Sequence, residues 1–349
     1  MQKIQAWGAA AAGTPLAPMI IERREPGLHD VVLDVLFCGV CHSDIHQARD
    51  EWSGGVFPMV PGHEVVGRVA RLGSGVTKFK VGDIAGVGCM VDSCRTCGPC
   101  KEDLEQFCQE GNAPTYNGTE MDRKTPTYGG YSSQLVVDER FALRIPAGMD
   151  PAAAAPLLCA GITTYSPLRQ SGCKPGDRVG VVGLGGLGHM AVKLAASMGA
   201  QVTVLSTSSG KEADARRLGA TDFVVTKDAE SFQRLAGRLD LLIDTVSAPH
   251  DYNAYLGLLR PRGTMAIVGA PATASPLHPF SLILGGKRLL GSIIGGIAET
   301  QEMLDHCARH GIASDIEVIP IQKINEAYER VLKSDVRYRF VIDMASLKG

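Results

Sequence analysis

Two groups of thiol and imidazole residues stand out by type and spacing. Cys94-x2-Cys97-x2-Cys100-x7-Cys108 sets four thiols within fifteen residues. Four sulfurs so close in the chain are the pattern of a tetrahedral zinc site filled wholly by protein, which is structural because no position is left for substrate. Two disulfides in an exported loop are the alternative, and no secretory pattern accompanies them. The second group is spread wider: Cys41 in Cys41-His42-Ser43-Asp44, His63 in Gly62-His63-Glu64, and Cys159 in Leu157-Leu158-Cys159-Ala160-Gly161. Taken singly, His63 reads as a hydrogen-bonded core histidine and Cys159 as a small buried hydrophobe. Taken together, and with the nucleotide motif farther along, two thiolates and one imidazole would hold a zinc with its fourth position open to water or substrate, the mark of a catalytic metal. Asp44 is a candidate acceptor for the second ring N–H of His63, which would fix the tautomer. Glu64 is either a transient fourth ligand or a neighbour that balances charge.

Farther along, Gly183-Leu184-Gly185-Gly186-Leu187-Gly188 fits G-x-G-x-x-G. The motif alone is weak in a chain with 41 glycines, but its context is specific. A strand over 178–182 precedes it and a helix over 187–198 follows, so backbone N–H groups at the helix start can hold a pyrophosphate. About twenty residues on, where an acid would bond the ribose 2′-hydroxyl of NAD, the sequence reads Ser206-Thr207-Ser208-Ser209-Gly210-Lys211. Hydroxyls followed by a cation suit a 2′-phosphate, and charge-assisted hydrogen bonds of about 1.5–3 kcal/mol each are enough to select it. The expected cofactor is NADP(H) rather than NAD(H).

The elements that must position these groups change character once. From 1 to about 150 short strand-like runs such as 30–37, 67–72 and 134–137 lie between Gly, Pro and Asp turns. From about 151 the rhythm is βαβ, with strands expected at 178–182, 201–205, 222–225, 239–244 and 264–268 and a helix at 211–218. These strands are apolar on both faces, as a covered parallel sheet requires. After 292 come a helix over 299–310, a strand near 317–321, a helix near 324–332 and a last run over 338–344. The tail has little core of its own and is expected to return to the β-rich half. The expected organisation is therefore 1–150, a nucleotide domain over 151–291, and 292–349 packing back on the first. The 349 residues, 45% hydrophobic, carry enough core for two such domains. With 35 Lys and Arg against 37 Asp and Glu, no basic field exists to gather a nucleic acid. The longest apolar stretch, 152–162, contains Pro156 and Gly161 and falls short of the roughly 18 residues of a membrane span. A cytoplasmic location is expected, where thiols stay reduced unless they bind metal or do chemistry.

With these motifs in order, the chain resembles the zinc-containing medium-chain dehydrogenases/reductases end to end, and most closely the cinnamyl-alcohol-dehydrogenase branch. The signatures are Cys38-Gly39-Val40-Cys41-His42-Ser43-Asp44, Val60-Pro61-Gly62-His63-Glu64, the four-cysteine lobe, Gly183 to Gly188, and Ser206 to Lys211. Glu51-Trp52-Ser53-Gly54-Gly55 resembles bacterial broad-range aldehyde reductases. The resemblance implies a GroES-like catalytic domain, a Rossmann domain, a homodimer, and one catalytic and one structural zinc. It implies that Cys41, His63 and Cys159 hold the catalytic zinc with Glu64 as alternate ligand. Ser43 would bond the substrate oxygen and relay its proton, and His46 would pass that proton to solvent. Thr163, Thr245, Gly269, Ser292, Ile293 and Ile294 fall where similar enzymes contact the cofactor, while Trp52 and Tyr116 either line the substrate cleft or simply pack. The implied reaction is hydride transfer between NADP(H) and primary alcohols or aldehydes. Two other readings remain open: reduction of conjugated C=C or C=N bonds with non-catalytic zinc, and a non-catalytic zinc and nucleotide protein whose redox thiols would be Cys38, Cys89, Cys173 and Cys307.

Overall fold

The structure, a computed structural model, describes residues 1–269, 271 and 273–348. It divides into two compact units, one of residues 1–159 with the stretch from 295 onward, the other of 160–294. Among the described residues no helix is long and apolar enough to cross a membrane.

The first unit is built on a seven-stranded sheet whose long central strand, Asp30–Gly39, pairs antiparallel with Val65–Leu72, Gln134–Asp138 and Arg339–Asp343. Val31, Val32 and Leu33 are fully buried in a row, so this strand lacks the one-sided alternation of a solvated sheet. Its pairing with Val65–Leu72 shifts register twice, at Val32/Leu33 and Val35/Phe37. Such irregularities bend a strand and re-aim its end, and here the end delivers Cys38, Gly39 and then Cys41. Val65–Leu72 begins immediately after Glu64, so two neighbouring strand ends present Cys41 and His63 to one another.

The second unit is a six-stranded, wholly parallel sheet in the order Asp222–Val225, Gln201–Ser206, Arg178–Val182, Leu239–Asp244, Leu259–Ile267, Arg288–Gly291. Parallel strands need crossovers and are covered on both faces; Val179, Val181, Val204, Leu242 and Ile243 are buried as that arrangement demands. The order reverses between Arg178–Val182 and Leu239–Asp244, where open α/β sheets bind ligands at the carboxyl ends of their strands. Strand Leu259–Ile267 starts five residues earlier than the sequence suggests. Pro261 argues against a strand there because it gives no N–H to a ladder. The structure accommodates it at a register shift between Leu239 and Leu241.

Candidate metal and nucleotide sites

Cys94, Cys97, Cys100 and Cys108 bring their sulfurs within 4.8 Å of one another. The lobe turns tightly because Cys97 precedes a single helical turn, Gly98–Lys101, with Pro99 as its second residue, followed by the 3-10 turn Glu105–Phe107. Backbone N–H groups point at the sulfurs: Cys97 and Cys94 donate to Cys94 Sγ and Cys108 Sγ at 3.3 and 3.4 Å, and Gln109 to Cys97 Sγ at 3.5 Å. Hydrogen bonds to the anion favour it, and the N–H groups of Thr96 and Cys97 lower the Cys94 thiol to about 6. Cys100 differs, lying 3.2 Å from Ser93 Oγ with its thiol pushed up to about 12 by burial; the four sulfurs together fit a tetrahedral zinc.

In the second group Cys41, His63, Glu64 and Cys159 are all buried, with donor atoms within 4.8 Å of one another. Cys41 Sγ and Cys159 Sγ lie 3.9 Å apart, and His63 Nε2 lies 3.3 Å from Cys159 Sγ. Tetrahedral zinc with bonds of about 2.0–2.3 Å sets such separations at about 3.6–3.8 Å, so the residues fit the ion. Asp44 organises the group. Fully buried, it accepts from the N–H of Cys41 at 2.8 Å, from the N–H of Gly62 at 3.1 Å, and faces His63 Nδ1 at 3.1 Å. That last contact turns Nε2 toward the sulfurs. Burial disfavours a charged His63, but Asp44 reverses the sign and holds the imidazole well above its ordinary range.

Glu64 meets a partner absent from the sequence reading. Its Oε1 pairs with Arg339, from the far end of the chain, while its buried Oε2 has no hydrogen-bond partner among the described residues. The carboxylate packs where Gly39 lacks a side chain, since a Cβ there would sit 1.8 Å from Oε2. Burial raises the Glu64 carboxyl to about 8 while Arg339 pulls it down. The structure thus supplies the charge-balancing partner, and leaves one oxygen for ligation.

Helix His42–Ala48 carries Ser43 and His46 one turn apart. Ser43 Oγ is 3.7 Å from Cys41 Sγ. His46 Nδ1 contacts Glu51 Oε2 at 2.5 Å, and its ring stacks on Trp52 at 5.0 Å. Trp52 and Tyr116 line one groove of about 260 Å³ with Gln47, Pro114 and Asn117. The Tyr116 ring stacks on His63 at 5.8 Å, and its buried hydroxyl has no hydrogen-bond partner among the described residues. Sequence reasoning missed Glu51, Arg339 and Tyr131, whose hydroxyl reaches Asp44 at 3.4 Å. Only Glu51 carried a local signal, five residues beyond His46.

In the second unit the three motif glycines have distinct reasons. Gly183 turns with φ +88°; a Cβ at Gly188 would lie 2.2 Å from the Gly183 carbonyl; a Cβ at Gly185 would meet nothing within 4 Å. These are the demands of a tight turn, a close helix approach and an open cradle for pyrophosphate. Helix Gly188–Ser197 follows, with Leu184 buried and Gly186 and Leu187 half-buried in the loop. Strand Gln201–Ser206 ends on buried Ser206, whose Oγ accepts from the Ser208 N–H at 3.3 Å; Thr207 and Ser208 are exposed. Lys211 Nζ donates to the Leu184 carbonyl at 2.9 Å, so the cation is held against the glycine loop. Thr245 Oγ1 donates to the Val182 carbonyl at 2.7 Å. Ser292, beside exposed Ile293, has a buried hydroxyl without a partner among the described residues, and Ile294 has φ +38°. Thr163 is buried in helix Ala160–Gln170. The orphaned hydroxyl and the open cradle fit a nucleotide.

Comparison with known proteins agrees with these two chemistries. Residues 27–147 match the alcohol dehydrogenase GroES-like domain and residues 186–309 the zinc-binding dehydrogenase family. The NADP-dependent alcohol dehydrogenase C 1 of Mycolicibacterium smegmatis is 55% identical over 350 residues, covering 100% of both chains. The aldehyde reductase YahK of Escherichia coli is 53% identical over 348 residues, 99% of each. A cinnamyl alcohol dehydrogenase structure from Sorghum bicolor superposes with a TM-score of 0.96 at 48% identity, covering 99% of this chain and 98% of the other.

Proposed function

The chain belongs to the zinc-dependent medium-chain alcohol dehydrogenase family and is an NADP-dependent oxidoreductase, and on that premise we propose that it interconverts primary alcohols and aldehydes, favouring aldehyde reduction. The observation that carries the reading is the buried Cys41, His63 and Cys159 donor set with Asp44 behind the histidine. Zinc held there supplies a Lewis acid for a carbonyl, and NADPH held by the glycine loop supplies hydride. Cys94, Cys97, Cys100 and Cys108 hold a second, structural zinc.

The chain's own residues divide the remaining work. Asp44 accepts from His63 Nδ1 and keeps Nε2 turned to the metal position. Glu64 keeps Oε2 as an alternate ligand while Arg339 neutralises its other oxygen. The Ser43 hydroxyl gives a proton to the developing alkoxide, or takes one from an alcohol, and the His46 imidazole restores it from solvent. Glu51 holds His46 by Nδ1, leaving Nε2 for exchange. Backbone N–H groups from Gly183 to Gly188 bind the pyrophosphate, and Ser206, Thr207, Ser208 and Lys211 the 2′-phosphate. Thr163, Thr245, Gly269, Ser292, Ile293 and Ile294 complete the cofactor contacts. Against the redox-thiol reading, burial pushes the thiols of Cys38 and Cys173 up, away from the reactive thiolate; Cys89 goes the other way, lowered by the neighbouring Cys159 sulfur.

The test is a panel of aldehydes, alcohols and enones with NADPH and NADH on zinc-loaded protein. Benzaldehyde reduced with NADPH faster than an enone supports the reading; turnover of the enone alone overturns it. Ser43→Ala should depress kcat sharply, and retained turnover removes Ser43 from the relay. A homodimer is part of the proposal, supported by the family resemblance, and light scattering checks it.

A further inference from the structure

Asp244 ends strand Leu239–Asp244 at the point where the sheet order reverses, and it is fully buried. A buried carboxylate must be paired and hydrogen-bonded. Its Oδ1 accepts from the Val246 N–H at 3.1 Å. Its Oδ2 lies 2.9 Å from Nε2 of His250, whose Nδ1 lies 2.8 Å from the carbonyl oxygen of Ala248. The carbonyl can only accept, so Nδ1 carries a hydrogen. A neutral ring would then turn the lone pair of Nε2 on the carboxylate oxygen. One proton therefore lies between Oδ2 and Nε2, whichever of the two owns it. Burial raises the Asp244 carboxyl and His250 pulls it back. The rings of Tyr252 and Tyr255 stand edge-on to His250 at 4.9 and 5.3 Å and close the site.

Three turns meet at this pair. The Asp244 main-chain carbonyl accepts from the N–H groups of Val268 and Gly269 at 2.9 and 3.0 Å. A Cβ at Gly269 would lie 2.5 Å from the Val246 carbonyl oxygen, so the two turns touch backbone to backbone. On the other side Thr245 is tied to the Val182 carbonyl by its N–H at 3.1 Å and its hydroxyl at 2.7 Å. The same hydroxyl oxygen sits 3.0 Å from the place of a Cβ at Gly183. Whatever fixes the 245–250 turn therefore fixes the wall of the glycine loop.

We propose that the His250–Asp244 pair is a positioning element for the nicotinamide nucleotide, holding Thr245 and Gly269 against the glycine loop without touching the cofactor itself. The proposal rests on the reading that this unit takes NADP(H), and NADPH titration of the full-length protein by fluorescence tests both. Wild-type protein that fails to bind NADPH overturns the functional reading and this inference together. If the wild type binds, His250→Ala leaves Oδ2 buried without a donor, and the Kd should rise by about tenfold or more. Asp244→Asn should stay within about threefold of wild type, because its Nδ2 donates to a neutral His250 while Oδ1 still accepts from Val246. The double variant should bind more tightly than His250→Ala, since no charge is left buried. Wild-type affinity in His250→Ala, or a double variant no tighter than His250→Ala, overturns the inference. Should His250→Ala fail to fold, Asp244→Ala takes its place, since it removes the carboxylate that both His250 and the Val246 N–H use: a Kd raised about tenfold or more supports the inference, and wild-type affinity overturns it.

Discussion

Replacing Gly185 by alanine separates holding a nucleotide from holding the fold. A Cβ at this position meets no heavy atom of the described residues within 4 Å, and the residue is outside the left-handed region that favours glycine. In the free protein the methyl group costs nothing sterically and restricts the unfolded chain, a gain of about 0.4–1 kcal/mol. On the proposed reading, with a pyrophosphate in the cradle the same methyl group would stand where the phosphate oxygens approach the backbone. Losing one charge-assisted hydrogen bond costs about 1.5–3 kcal/mol, and 1.4 kcal/mol is tenfold in affinity. The NADPH Kd should therefore rise roughly tenfold to more than a hundredfold for each such bond lost, with Tm of the nucleotide-free protein unchanged or slightly higher. Gly188→Ala should behave oppositely in the free protein, because its Cβ would lie 2.2 Å from a backbone oxygen, and its Tm should fall before any ligand is added. Fluorescence titration and thermal unfolding of both variants measure the two quantities. Wild-type NADPH affinity in Gly185→Ala, or a fall in its Tm that accounts for the lost affinity, would refute the cradle.

Lys211→Ala combined with Ser206→Asp removes the cation held at Leu184 and adds an acid for the ribose hydroxyl; the NADPH-to-NADH ratio of kcat/KM should drop about tenfold or more, and an unchanged ratio counts against the phosphate site. Asp44→Ala frees the His63 ring, and zinc affinity at Cys41, His63 and Cys159 should fall about 10–100-fold, read by competition with a chromogenic chelator. Cys97→Ser should lower zinc content by one equivalent and destabilise the 94–108 lobe, leaving the other metal in place on elemental analysis. Burial raises the Asp240 carboxyl, but the N–H of Arg178 and the side chain of Arg260 outweigh it and hold the group below its ordinary value. A depressed folded value gives stability that is present above the unfolded value and lost as pH falls through the folded one. Asp240→Asn should accordingly flatten the acid limb of a Tm-against-pH curve, and an unaltered limb would exclude this carboxylate.

What the sequence reveals follows from the range of each interaction. Strand Arg178–Val182, the glycine loop and helix Gly188–Ser197 are legible because turn, cradle and helix start lie within a few residues of one another. Asp44 is legible from Cys41 for the same reason, since its carboxylate reaches back to the N–H three residues earlier. The candidate zinc ligands Cys41, His63 and Cys159 are scattered and each alone reads as an ordinary core residue, so they are legible only as a set. Tyr131 and Arg339 are neither local nor rare, and only the folded chain brings them to Asp44 and Glu64.

Arg339 shows how one strand pairing settles several of these at once. Val341 lies opposite Gly39 in the antiparallel ladder, and the Gly39 N–H donates to the Glu64 carbonyl at 2.9 Å. The same register carries Arg339, two residues earlier, to the Glu64 carboxylate in the space that Gly39 leaves by having no side chain. A slip of one residue would turn Arg339 to the other face of the sheet and leave the Glu64 carboxyl buried without a cation, a loss of about 3–5 kcal/mol for a broken buried pair. The position of the tail strand and the charge balance beside the candidate metal ligands are thus one choice. Gly39 is the residue that makes it possible, because any larger side chain would occupy the place of Oε2.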